Sequence, residues 1–157
     1  METSKWIDTT IHQNIIPEKL EGQCMDDVWG EETKLTVVNE AISILIFRNI
    51  IERLSLKIIP NKNNLTTHYI EYNINDTYEI TKHNDNCDLT VIVYLKKDST
   101  MKDTFYIGNK KCRKEKWDID KDSYAVIAFN GNDEHWGRLE GYGKREIIAF
   151  HYYFDNN

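Results

Sequence analysis

Two hydrophobic periodicities divide the chain. From Thr36 to about Leu56, apolar Val38, Ala41, Ile42, Leu45, Ile46, Ile50 and Leu54 recur at helical spacing, with Glu40, Ser43, Arg48 and Glu52 between them. This spacing predicts an amphipathic helix whose apolar stripe packs on a sheet, with Pro60 as a stop signal just beyond it. The stretch Ile42–Phe47 alone would also suit a strand, but the length of the whole run favours helix. Residues 1–30 are polar and weakly patterned, broken by Pro17 and Gly22, and short helices and loops are expected there. Past the polar turn Asn61–Asn64 the pattern changes to period two. Strands are predicted near His68–Ile74, Tyr78–His83, Leu89–Lys96, Asp103–Ile107, Lys116–Ile119, Tyr124–Phe129 and Lys144–Phe154. Turn residues separate them at Asn75-Asp76, Asn84–Asn86, Gly108-Asn109, Gly131-Asn132 and Gly141–Gly143. Many short strands after one helical region predict a mainly β (α+β) fold, a β-sandwich or jelly roll with helices packed outside.

At 157 residues the chain has the length of one domain: a helical N-terminal support over 1–60 and a β core over 65–155. A net charge of −6 makes a nucleic-acid partner unlikely on electrostatic grounds. The longest apolar run, Ala41–Phe47, is far below the ~20 residues a membrane span needs. The N-terminus has no basic region leading into an apolar stretch, so a cytoplasmic, intracellular protein is expected. Cys24, Cys87 and Cys112 are odd in number and contain no CxxC, which argues against a disulfide framework or zinc–thiolate site. The local basic run Lys110, Lys111, Arg113, Lys114 and Lys116 is read as a solvated hairpin.

Candidate chemistry gathers in His83-Asn84-Asp85, His135 and Arg145. Alternate strand residues share a face, so His-x-Asp at a strand end can present an imidazole and a carboxylate together. His135, after the apolar strand Tyr124–Phe129, could close a facial triad of the kind that leaves positions open on an octahedral Fe(II). The plainer reading of His83 alone is a surface or hydrogen-bonded histidine; it is the combination that points to a metal. Arg145 opens the last strand, where a buried guanidinium needs an anion and its planar fork suits a carboxylate. Trp136 could line a cleft or cover a barrel edge, and Trp6, Trp29 and Trp117 suit packing. His12 and His68 lack the spacing to join the triad and are read as bystanders; nothing assigns Cys87 a redox role.

From about His68 to Phe154 the chain resembles the 2-oxoglutarate/Fe(II) dioxygenases, in particular the prolyl-4-hydroxylase-like branch. The resemblance rests on His83-Asn84-Asp85, on the strand Leu89–Leu95 ending in Tyr94-Leu95, and on Ala125–Phe129 followed by His135. It is completed by Arg145, ten residues after His135, leading Glu146–Phe154. The Gly-Gly pair usual in the family's middle loop is missing around Asp103–Ile107. The resemblance implies a double-stranded β-helix of jelly-roll, cupin-like type. It further implies Fe(II) held by His83, Asp85 and His135, with 2-oxoglutarate on the metal and its far carboxylate on Arg145. Tyr94 matches the family tyrosine that supports that carboxylate. Tyr72 is a second pocket tyrosine by position, with Tyr78 as competitor.

The family's chemistry implies an oxygenase that consumes O2 and 2-oxoglutarate and releases succinate and CO2, with ascorbate as a candidate reductant. Its expected substrate is a prolyl or other peptidyl residue. The rival readings are a small-molecule or nucleic-acid oxygenase on the same scaffold, and a cupin-like metal-binding module without turnover. The phase of the last strand adds an expectation from the residues themselves. Counting in twos from Arg145 turns Ile147, Ala149, His151 and Tyr153 to the pocket side. Ile147 and Ala149 would form an apolar wall along the co-substrate. His151 would orient an iron-bound ligand or the 2-oxoglutarate C1 carboxylate, the plainer alternative being a histidine bonded only to backbone.

Overall fold

Strand β9 (His135–Tyr152) is the spine of the molecule, because both its edges are paired along nearly its whole length. On one side runs β4 (Leu65–His83), in register from Leu65↔Tyr152 to His83↔His135. On the other side β5 (Leu89–Lys97) pairs with the second half of β9, and β6 (Lys102–Ile107) with the first half. The change of partner falls at Gly141 and Gly143, whose φ values of +124° and +122° suit glycine alone, opposite Asp76 at φ +97°. Asp98 closes the β5–β6 turn beside this point, accepting from the Lys144 backbone N–H at 2.9 Å. The turns predicted at Asn75-Asp76 and Gly141–Gly143 are therefore kinks within two long strands. The predicted strands 68–74 and 78–83 are one element.

This computed structural model describes residues 6–26, 32–112, 117 and 122–154. The remaining strands are β1 (Trp6–His12), β2 (Gly22–Asp26), β3 (Thr33–Val38), β7 (Lys110–Lys111) and β8 (Ser123–Phe129). The sheet order is β1-β8-β5-β9-β4-β3-β2, with β6 added to β9 and β7 to β6, and every pairing is antiparallel. The protein is thus mostly β, with α1 (Glu40–Arg53) as the one α-helix among the described residues.

The front third departs from the sequence expectation. Residues 1–60 are not a helical support: three strands lie there, and the predicted helix 36–56 is shorter because Thr36–Val38 belong to β3. The sequence carries little signal for β1 and β2 because their side chains alternate weakly; their pairing comes from edges offered by β8 and β3. The predicted strand 116–119, apart from Trp117, and the residues Trp29, Arg113, Lys114 and Lys116 lie outside the described residues.

Two cores follow from the alternation. Val91, Val93, Val126, Ala128, Ile148 and Phe150 face outward and are covered by Ile46, Phe47 and Ile50 of α1. Phe47 stacks on Phe150 at 5.6 Å between centroids. The intervening residues Ile92, Tyr94, Ala125, Ile127, Phe129, Ile147 and Ala149 face inward and meet Phe105, Ile107 and Leu139 from the other half of the sheet. Phe105 of β6 and Phe129 of β8 sit 6.0 Å apart although their strands do not pair, so the sheet folds over and its two halves face one another. No helix among the described residues is long and apolar enough to cross a membrane.

Candidate functional site

Between the facing halves lies a cavity of about 770 Å³. His83, Asp85 and His135 line one part of it, and Arg145 and Tyr72 another; Ile70, Ile92, Ile147 and Ala149 are among the apolar residues of its wall.

His83 reaches this cavity through a register slip. The pairing passes from Ile80↔Gly137 to His83↔His135, one residue out of step. Ile70, Tyr72, Ile74 and Tyr78 pack toward the inner core, so strict alternation from them would turn Lys82 inward and His83 out. The bulge reverses this: His83 faces inward while Lys82 lies over the Trp136 ring, 4.9 Å from its centroid. Asp85 follows in a loop held by Asn86 N–H on Asn84 Oδ1 at 3.0 Å and by its own N–H on the Gly131 carbonyl at 2.8 Å. His135 begins β9 after a turn in which Asn130 accepts from the N–H groups of Asn132 and Asp133.

The ligand atoms of His83, Asp85 and His135 lie within 4.8 Å of one another, a set that could hold a metal ion. Each histidine is oriented from behind. Nδ1 of His83 is 2.6 Å from the Thr81 carbonyl and Nδ1 of His135 is 2.9 Å from the Asp133 carbonyl. A carbonyl can only accept, so the proton of each neutral ring belongs on Nδ1; a ring that also donates to Asp85 is protonated on both nitrogens, and loss of the second proton leaves Nε2 for a ligand role. His135 is buried against Phe105 and Phe129, while His83 is partly open. This tautomer control, with one carboxylate between two imidazoles, fits a divalent transition metal.

Asp85 is the focus of the site. Its Oδ1 lies 3.3 Å from His83 Nε2. Its Oδ2 accepts from Thr90 Oγ1 at 2.8 Å and lies 3.2 Å from His135 Nε2 and 3.4 Å from His151 Nε2. Burial alone would raise its pKa, but the hydrogen bonds from His135, His151 and His83 together outweigh that and hold it well below the usual carboxylate range. The His83 imidazole is correspondingly raised, chiefly by its hydrogen bond to Asp85.

His151 therefore lies on the same face as Ile147 and Ala149, with Asp85 rather than backbone as its neighbour. Tyr153 lies beyond the strand and is exposed. His68, read from the sequence as a bystander, lines the cavity with its ring 5.8 Å from that of His151. Burial first, and then His151, lower its pKa. Spacing could not show this, because β4 and β9 bring the two histidines together only by pairing. His12 sits apart at the end of β1, where its Nδ1 accepts from Asn14 N–H. The Cys87 thiol is buried, 3.3 Å from Thr90 Oγ1, and burial pushes its pKa up, which disfavours the reactive thiolate.

At the Arg145 end, the guanidinium is 1% exposed and its Nε donates to Asp103 Oδ2 at 2.8 Å. Its Cζ stands 4.9 Å from the Tyr72 ring centroid and 5.9 Å from that of Tyr94. Tyr72 lines the cavity, edge-on to Tyr78 at 5.4 Å, and both tyrosines border it. Tyr94 packs behind Arg145, edge-on to Trp117. Burial raises the pKa of both Tyr72 and Tyr94. Nη1 of Arg145 is buried with no hydrogen-bond partner among the described residues. Asp103 was not singled out in the sequence; an acidic residue in a strand of mixed polarity gives no signal for a pairing 42 residues away.

No family model matches the chain, and no curated protein does. Among solved structures it is similar to the crystal structure of IDO from Bacillus thuringiensis, at 12% identity and a TM-score of 0.44, over 96% of this chain and 74% of that one. A likeness so distant carries no functional argument.

Proposed function

We propose that the protein is an Fe(II)- and 2-oxoglutarate-dependent oxygenase. The observation that carries this reading is one cavity bordered both by a His83–Asp85–His135 cluster and by a buried arginine with an unpartnered Nη1. The strand pairing supports the finer fold reading, a double-stranded β-helix: β4, β9, β5 and β8 make one half, and β4, β9, β6 and β7 the facing half. Iron would be held by His83, Asp85 and His135. 2-Oxoglutarate would lie along Ile147 and Ala149 with its far carboxylate toward Arg145. When bound, iron supplies oxygen activation coupled to oxidative decarboxylation of the 2-oxo acid.

The chain's own groups do the rest. Thr81 and Asp133 carbonyls fix the two imidazoles with Nε2 toward the site. Thr90 and His151 hold Asp85 Oδ2, which leaves Oδ1 the freer oxygen for a metal. Ile92, Ile147, Ala149 and Phe105 make that part of the wall apolar. A peptidyl residue, prolyl by resemblance, remains the proposed substrate class, with small molecules next. The test is succinate and CO2 release from 2-oxoglutarate that requires Fe(II), followed by a peptide and metabolite screen for a +16 Da product. Absence of any Fe(II)-dependent binding or turnover of 2-oxoglutarate would favour the metal-binding module, a reading to which the Asp103–Arg145 pair lends weight.

A further inference from the structure

The buried ion pair at the far end of the cavity is incomplete. An arginine whose sole task is to neutralise a structural carboxylate commonly meets it fork to fork, two nitrogens on two oxygens. Here the contact is single. Arg145 Nε meets Asp103 Oδ2, and the Trp117 indole N–H shares the same oxygen at 3.2 Å. Asp103 Oδ1 and Arg145 Nη1 are both buried without a hydrogen-bond partner among the described residues. The side chains of the pair are 1% and 2% exposed, so water screens their interaction little. The guanidinium that borders the cavity is thus already neutralised by the chain's own carboxylate, while one of its donors stays unused.

We propose that Asp103 is a specificity-determining counter-ion. It lowers the pull of Arg145 on a negative tail, so the cavity accepts 2-oxo acids with uncharged tails nearly as well as 2-oxoglutarate. The proposal rests on the 2-oxo-acid reading of the cavity. A neutral polar group can meet the guanidinium where Arg145 borders the cavity, but a second full negative charge near Asp103 is repelled. Arg145 without Asp103 would reward a dicarboxylate strongly; the pair as built rewards it weakly.

Calorimetric titration of the Mn(II)-loaded protein with 2-oxoglutarate and with 2-oxopentanoate, which has the same chain without the far carboxylate, tests this. The wild-type protein should favour 2-oxoglutarate by less than about tenfold. Asp103→Asn keeps an acceptor for Arg145 and removes the charge. It should tighten 2-oxoglutarate by about tenfold or more and leave 2-oxopentanoate unchanged. Equal 2-oxoglutarate affinity in both proteins would overturn the proposal and spare the oxygenase reading. A wild-type preference above about a thousandfold would do the same without any variant, and so decides the matter even if Asp103→Asn fails to fold. If neither acid binds either protein in the presence of metal, the oxygenase reading fails and this proposal falls with it.

Discussion

At one end of the cavity a single carboxylate, Asp85, faces His83, His135, His151 and Thr90; at the other a single guanidinium, Arg145, meets Asp103 through one nitrogen. The first end has more donors than its acceptor needs, supplied from β4, β5 and β9. Two of these imidazoles and the carboxylate form a set that could hold a metal ion. The second end is electrically neutral yet leaves a donor and an acceptor unused. The metal-ligand end is therefore set by convergent geometry, and losing one member costs mainly binding. The arginine end is set by a buried pair, and losing one member costs the fold as well.

That contrast predicts the largest effect for Asp85→Ala. Without the carboxylate the two imidazoles face each other with 4.3 Å between ring centroids and no anion between them. Mn(II) affinity should fall by more than about a hundredfold and Fe(II)-dependent turnover should vanish, with most of the fold kept. Titration calorimetry and circular dichroism together check this, and full Fe(II)- and 2-oxoglutarate-dependent turnover by the variant would sink the triad.

Arg145→Ala should behave differently, because it strands the Asp103 carboxylate in a buried site. Removing one partner of such a pair costs about 3–5 kcal/mol of stability, which urea unfolding would register. The double variant Arg145→Ala, Asp103→Ala should recover part of that loss. It should leave 2-oxoglutarate affinity less than about tenfold below the wild-type value, because the neutralised pair rewards the far carboxylate only weakly. If the single variant is as stable as wild type, the contrast between the two ends disappears.

How far the site was legible from sequence depends on the same division. His83, Asp85, His135 and Arg145 could be picked out by residue type, order and spacing along the chain, although a bulge rather than strict alternation turns His83 inward and Asp85 lies in the loop beyond β4. The period-two phase also puts His151 beside Ile147 and Ala149. What stayed hidden depends on pairing between distant strands. His68 enters the cavity only because β4 lies against β9, and Asp103 finds Arg145 only because β6 follows β5 along the other edge. The bulge before His83 and the glycine kinks in β9 resemble turns in sequence, since the same residue types serve both. The front strands escaped for another reason. They are edge and near-edge strands whose alternation is weak, and their place is decided by the partners they meet.

Within the metal-ligand end the expected effects grade with contact length. Thr90 Oγ1 donates to Asp85 Oδ2 at 2.8 Å from a buried position on β5. Thr90→Val keeps the shape and removes the donor, so Mn(II) affinity should drop about 10- to 100-fold, while Thr90→Ser should stay near wild type. Equal affinity in the valine variant would mean that Asp85 is oriented by the histidines alone.

The smallest effect is expected at His151. Its Nε2 is 3.4 Å from the same oxygen, longer than either the threonine or the His135 contact. A hydrogen bond at that distance is weak, so His151 shares in orienting Asp85 without fixing it. His151→Phe fills the space and keeps the ring beside His68, which lies 5.8 Å away between centroids. Metal affinity should fall by less than about tenfold, because Thr90 still holds Oδ2. On the proposed function, in which the imidazole would also meet a ligand's carboxylate, turnover should fall further than metal affinity or stability. Parallel measurements of unfolding midpoint, Mn(II) affinity and succinate release separate these effects. A loss of stability as large as the loss of turnover would assign His151 to packing alone, and the metal-ligand end would then rest on four groups, not five.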